Sequence, residues 1–265
     1  MDTAKRISLI SKLNYARLIY RGILLIGVIV YYVLNRVWNI AIFDSNHPGT
    51  YIVLGFITFS FVLEMIMRFI PAKTSSMGSQ KQFAKNYKPS GDEKPTLQSW
   101  QKTFYAFISW IVLNAIFGVL YFNNIIDQGI LVIIALFYSV CDMICILFFC
   151  PFQTWIMHNR CCGTCRIYNW DFAMMFTPLI FIIVTPPQGE MPLNPFAWIL
   201  VLMSLALLLE WEIIYHRYPE RFSDMTNLSL RCSNCQEKLC SHKKQLQKLL
   251  KKYRITKPHL NIHSK

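Results

Sequence analysis

The chain contains no Gly-rich phosphate loop, no His-Glu-x-x-His and no Gly-x-Ser-x-Gly, so three common nucleotide, metallopeptidase and hydrolase signatures are missing. A Ser-His-Asp set assembles only in the fold and is not excluded by this, yet no pattern points to one, and no catalytic residue is assigned. There is no internal repeat, which removes the symmetry that accompanies many transporter folds. No histidine lies in the middle of an apolar run; His158 and His216 stand at run ends, which disfavours a transmembrane two-histidine haem site. Acidic residues are few, 14 Asp and Glu against 27 Lys and Arg. That imbalance suggests nucleic acid only where it forms a stripe on a soluble domain. Here the basic residues lie between and beyond apolar blocks with no recognition fold, so nucleic acid is not an expected partner.

What the sequence has is apolar residues in long runs. They make up 54% of the 265 residues and gather into blocks long enough to cross a hydrocarbon core of roughly 30 Å. The fold class expected is all-α, a polytopic membrane protein with six transmembrane helices over about 18–38, 51–70, 104–122, 130–149, 168–185 and 196–215. The first span is expected to be retained, because Tyr31, Tyr32, Arg36 and Trp38 stand where a cleavable signal has small residues. The fifth is the odd one: its strictly apolar part, 172–184, is short and carries Thr177-Pro178 in its middle, which predicts a kink or a broken helix. Residues 71–99, rich in Lys, Ser, Gln, Gly and Pro, read as a mobile loop. The division expected is a membrane domain over 1–216 and a Cys-rich basic tail over 217–265.

With six spans, 26 of the 27 Lys and Arg fall on one face and only Arg36 on the other. The positive-inside rule then puts both termini, the long loop, the cysteine loop and the tail in the cytoplasm, and the cell membrane is the expected location.

That orientation decides the chemistry expected of the thiols. Cys162-x-x-Cys165, in the loop after span four, has a partner in Cys232-x-x-Cys235 after span six. Cytoplasmic thiols stay reduced, so metal binding is favoured over disulfides. Two such pairs can supply four thiolates to one ion. The ligand set is therefore Cys162, Cys165, Cys232 and Cys235, with Cys161, Cys240 and His242 in reserve. Structural zinc is the first expectation and a four-thiolate iron-sulfur cluster the alternative, with free or lipid-modified thiols as the bland case. Cys141, Cys145 and Cys150 belong to span four and read as small apolar packers.

Charged groups inside spans are costly, so they form a second set of candidates. Glu64 and Arg68 are four apart on span two and read as an interfacial ion pair. Asp142 lies about 18 Å along span four at 1.5 Å per residue; it reads either as a functional acid or as a protonated group bonded to Asn114. Asp171, Glu210 and Glu212 fall on the same side, where they either reach headgroup water or line a polar cavity open to the cytoplasm. In the tail, Leu246, Leu249, Leu250 and Tyr253 recur at helical spacing among lysines, a pattern suited to anionic inner-leaflet lipids or to packing on the cysteine site. Three functions stand: a structural or interaction component with cytoplasmic zinc and a protein partner at that face, an electron-transfer protein, and a small-solute or ion transporter using the intramembrane acids.

Overall fold

The structure, a computed structural model, describes residues 9–38, 48–71, 78–91, 94–159, 161–184, 193–231 and 234. It is helical, and no strand occurs among the described residues. The helices are α1 Leu9–Trp38, α2 Pro48–Phe69, α3 Gly78–Gln82, α4 Trp100–Phe122, α5 Gln128–Leu147, α6 Asp171–Phe176, α7 Leu179–Val184 and α8 Leu193–Arg217. Five of them, α1, α2, α4, α5 and α8, are long and apolar enough to cross a membrane. Their outward faces carry large exposed apolar side chains, among them Ile23, Phe59, Val119 and Leu209. In water such a belt would drive aggregation; against lipid it is the expected exterior.

The expected fifth span is not one long helix. It consists of α6 and α7, separated at Thr177-Pro178, because proline has no N–H to donate and its ring crowds the preceding turn. The chain bridges the break with tight bonds from Ile180 N to Thr177 O (3.1 Å) and Phe181 N to Pro178 O (3.3 Å), while the Thr177 hydroxyl donates back to Ala173 O (2.8 Å). At 1.5 Å per residue the 14 residues from Asp171 to Val184 span about 21 Å, short of a bilayer core.

This broken segment packs between α5 and α8, while α1 lies against α5 and α2 against α8. The core it fills is built on Phe61, Met65, Leu131, Met175 and Trp211, each at most 2% exposed. Helices start where local chemistry allows: Asp127 caps α5 by accepting from Ile130 N (3.0 Å) and also takes the Tyr32 hydroxyl (2.8 Å), tying α5 to α1. Gly118 permits α4 to meet α7, since a Cβ there would lie 2.7 Å from the Phe181 ring.

Residues 78–91 and 94–99 lie within the stretch 71–99 expected as a mobile loop. They fold over one end of the bundle and pair with 218–231 after α8, through Leu228 N to Lys88 O (2.8 Å), Ser90 N to Thr226 O (3.0 Å) and Thr96 N to Ser223 Oγ (3.1 Å). Ser79, Gln82, Ser223 and Asn227 are almost fully buried there. Apolar burial is not what holds this cap: polar side chains satisfy backbone groups of distant segments. The remainder of the expected tail, with its amphipathic stretch and with Cys232, Cys235, Cys240 and His242, lies outside the described residues.

Candidate functional site

Directly under the cap, the ends of the long helices bring buried charges to one level. Glu64 and Asp142 each lie five residues, about 8 Å, before the ends of α2 and α5. Arg21, only 3% exposed, reaches both: it donates to Asp142 Oδ2 (3.0 Å), to Ser139 O (2.9 Å) and to Glu64. Arg17, one turn earlier, adds a looser approach to Glu64 (3.9 Å). Three helices, α1, α2 and α5, are thereby clamped by one guanidinium, whose planar fork suits two carboxylates at once.

Two further pairs complete the layer. Arg68 donates to Asp171, at the start of α6, and to Ser79 Oγ of α3 (2.8 Å), with the Tyr168 and Phe172 rings 5.5 and 5.6 Å away. Arg166 forks onto Glu212 of α8 (2.7 Å to Oε1), which also accepts from Trp170 Nε1 (2.6 Å). Its guanidinium lies 3.6 Å from the centre of the Tyr215 ring, a cation–π contact.

Glu64 and Arg68 are not a pair, although their spacing permits it; each finds an opposite charge on a neighbouring helix, where a desolvated partner is worth more than an interfacial one. Asp142 is not bonded to Asn114, which donates along its own helix to Trp110 O (3.0 Å). Asp171 and Glu212 are engaged by arginines rather than by headgroup water alone. Glu210 differs, since its Oε2 is buried with no hydrogen-bond partner among the described residues. Arg21 and Arg166 were missed, because each was counted among basic loop residues. The available signal for Arg21 was its position four residues after Arg17, with apolar neighbours on both sides.

Beside this layer, between α4, α5 and α6, lies a largely apolar cavity of about 130 Å³. Cys141, Cys145, Cys150 and Cys165 all border it, along with Asp142, Met174 and Met175. The three cysteines read as packers thus line open space. The neighbouring Cys145 thiol, with the N–H groups of Gln153 (3.4 Å) and Phe152, pulls the Cys150 thiol below its usual value against the upward push of burial. Burial instead pushes the Cys165 thiol up to about 12, beyond what the Ile167 N–H and Asn159 recover. Cys165 is therefore held as a neutral thiol in the small core it shares with Met157, Ile167 and Tyr168.

Cys162 begins a single 3₁₀ turn, Cys162–Thr164, and Cys161 is partly buried just before it. Gln82 of α3 donates to Gly163 O (3.0 Å) in that turn, and Asn169 donates to Gln82 Oε1 (2.8 Å). One residue earlier on α3, Lys81 O accepts from Asn227 (3.1 Å). A polar cavity of about 170 Å³ opens beside the turn, bordered by Thr164, Cys165, Arg166 and Asp224. His158 and His216 are exposed and bond to backbone carbonyls of Thr154 and Glu212. Among the described residues no three His, Cys, Asp or Glu side chains converge as a metal set.

Chemically, the layer under the cap pairs Arg17 and Arg21 with Glu64 and Asp142, Arg68 with Asp171, and Arg166 with Glu212. Each guanidinium is answered by a carboxylate, so the layer is neutral overall when all are ionised and reads as a clamp more than as an ion path. Compared with known protein families, with characterised proteins and with solved structures, the chain matches none.

Proposed function

We propose that this protein is a structural or interaction component of the cell membrane, crossing it six times with both termini in the cytoplasm, and that its cytoplasmic cap is closed by a cysteine-bound metal, zinc in the first place. The observation that carries the proposal is the double attachment of α3. Gln82 holds the Cys162 turn, and the adjacent Lys81 carbonyl holds Asn227, five residues before Cys232. This supports a common location for the two cysteine segments, which are far apart in sequence.

Cys162, Cys232 and Cys235 are the ligands this arrangement favours. Cys165 joins them if its turn swings outward from the buried position; otherwise the fourth ligand comes from Cys161, Cys240 or His242. A zinc so placed would lock the α5–α6 segment to the tail and leave the basic residues of both available to anionic lipid headgroups or to a protein partner. The six crossings and the cytoplasmic cap rest on the distribution of Lys and Arg. The transport reading draws little support from the geometry, since Asp142, its carrier, is held by Arg21.

Elemental analysis and an absorption spectrum of anaerobically purified protein test the proposal, with Cys162→Ser and Cys232→Ser alongside. The expected result is about one zinc per chain, no visible absorption, and loss of the metal in both variants. Iron with sulfide and colour would move electron transfer to first place. Protein without metal, indifferent to both substitutions, would overturn the reading.

A further inference from the structure

One face of α5 is turned to the intramembrane cavity of about 130 Å³. Tyr138, Cys141, Asp142 and Cys145 recur at helical spacing, so they share that face, and all four border the space. Much of the remaining wall is rings and sulfur. The Trp110 ring centre lies 4.6 Å from that of Tyr138 and 6.0 Å from that of Phe152. Its Nε1 donates to Thr177 Oγ1 (3.2 Å), which holds the indole at the break between α6 and α7. Met174 and Met175 of α6 add thioethers. Two polar groups stand on this largely apolar lining. The Tyr138 hydroxyl is buried with no hydrogen-bond partner among the described residues, whereas buried polar groups are ordinarily satisfied. Asp142 gives Oδ2 to Arg21, and its Oδ1 receives no donor among the described residues.

We infer that this cavity is a binding site for a single hydroxylated aromatic ring, of the phenol class. The volume suits one ring, since an apolar protein cavity of roughly 150 Å³ takes up benzene. The walls suit it too, because aromatic rings pack edge to face and sulfur contacts ring edges favourably. The polar groups select the hydroxyl. Tyr138 and Asp142 are four residues apart, about 6 Å along the α5 axis, so a phenol lying between them can accept from the Tyr138 O–H and donate to the Asp142 carboxylate. An acyl chain fills the volume but leaves the Tyr138 hydroxyl unanswered. Water needs two to four polar neighbours, and this lining offers few. The same ring chemistry occurs in free phenols and in membrane lipids with a phenolic or quinol head.

The inference is independent of the zinc proposal, since neither Tyr138 nor Asp142 belongs to the metal set. Protein purified in detergent is titrated with 4-fluorophenol and, separately, with fluorobenzene, and uptake is followed by the fluorine NMR signal. Saturable binding of 4-fluorophenol is expected, with fluorobenzene bound weaker by about threefold or more, the worth of a hydrogen bond to a neutral hydroxyl. Tyr138→Phe keeps the ring, so it should weaken 4-fluorophenol by about three- to tenfold and leave fluorobenzene unchanged. Because the Tyr138 hydroxyl has no partner among the described residues, this variant should melt no earlier than the parent without ligand, which separates lost binding from misfolding. Cys141→Phe places a ring in the cavity and should abolish uptake of both probes. Competition by a prenylated and an unprenylated hydroquinone then distinguishes a lipid head from a free phenol, and displacement by either supports the site. Uptake that survives Cys141→Phe, equal affinity of the parent for the two probes, displacement by neither hydroquinone, or no saturable uptake would each overturn the inference.

Discussion

Replacing Arg21 by methionine is the most informative perturbation of the bundle. The guanidinium is 3% exposed and answers two carboxylates on two helices, Glu64 and Asp142. At an effective dielectric of about 20, opposite charges about 4 Å apart attract by about 4 kcal/mol, so two partners give about 8 kcal/mol gross. Burying the three ions costs several kcal/mol each, which makes the net worth of the cluster small. Removing only the arginine is different, because it strands two carboxylates whose desolvation has already occurred. Arg21→Met should therefore destabilise the protein by about 3–5 kcal/mol, read as a shift of the unfolding curve in a mixed-micelle denaturant titration. Adding Glu64→Gln and Asp142→Asn to Arg21→Met should recover at least half of the loss. A single variant within about 0.5 kcal/mol of the parent, the range of surface substitutions, would refute the reasoning, as would a triple variant no more stable than the single one.

The cap is tested by Asn227→Ala. Asn227 donates to Lys81 O and Arg221 O and accepts from Ser229 N, all within 3.1 Å, so its loss should cost about 2–3 kcal/mol and open 78–99 to limited proteolysis; an unchanged digestion pattern would contradict the latch. In the metal-free protein, iodoacetamide should modify Cys150 well before Cys165. The rate at Cys150 should climb at a lower pH than that of an ordinary free thiol, because Cys145 and the neighbouring N–H groups pull its thiol down. Cys165, held up at about 12 by burial, should stay unreactive, and equal rates at both would remove the electrostatic distinction. A leucine at Gly118 should collide with the Phe181 ring and destabilise the α4–α7 contact by about 1–3 kcal/mol, seen as a lower melting temperature in detergent.

The parts of this fold that sequence reveals are those set by local rules. Apolar runs long enough for a bilayer locate α1, α2, α4, α5 and α8, and proline chemistry alone places the break at Thr177-Pro178. The ionic layer is legible only in part. Glu64, Arg68, Asp142, Asp171 and Glu212 are recognisable as costly groups, but periodicity cannot say which helix supplies each partner. Arg21 shows the difficulty well: its sequence context is that of a positive flank, and its role comes from α1 packing on α5. The cap was hidden for another reason. Gln82 and Asn227 carry no apolar period, and their value lies in bonds to Gly163 and Lys81, which are remote in sequence. Cysteines at 141 and 145 look like packing residues because a small apolar side chain lines a void as readily as it fills one.

The claim on which the functional reading depends most is that the cap faces the cytoplasm, since only there do its thiols stay reduced and free for metal. Labelling intact cells with a membrane-impermeant maleimide tests it directly, using Ile125→Cys in the exposed α4–α5 turn and Met225→Cys in the exposed part of the cap. The account predicts labelling of Ile125→Cys in intact cells and of Met225→Cys only after permeabilisation, with the unaltered protein silent until then. Labelling of Met225→Cys from outside, with Ile125→Cys protected, would invert the protein in the membrane and contradict the metal reading.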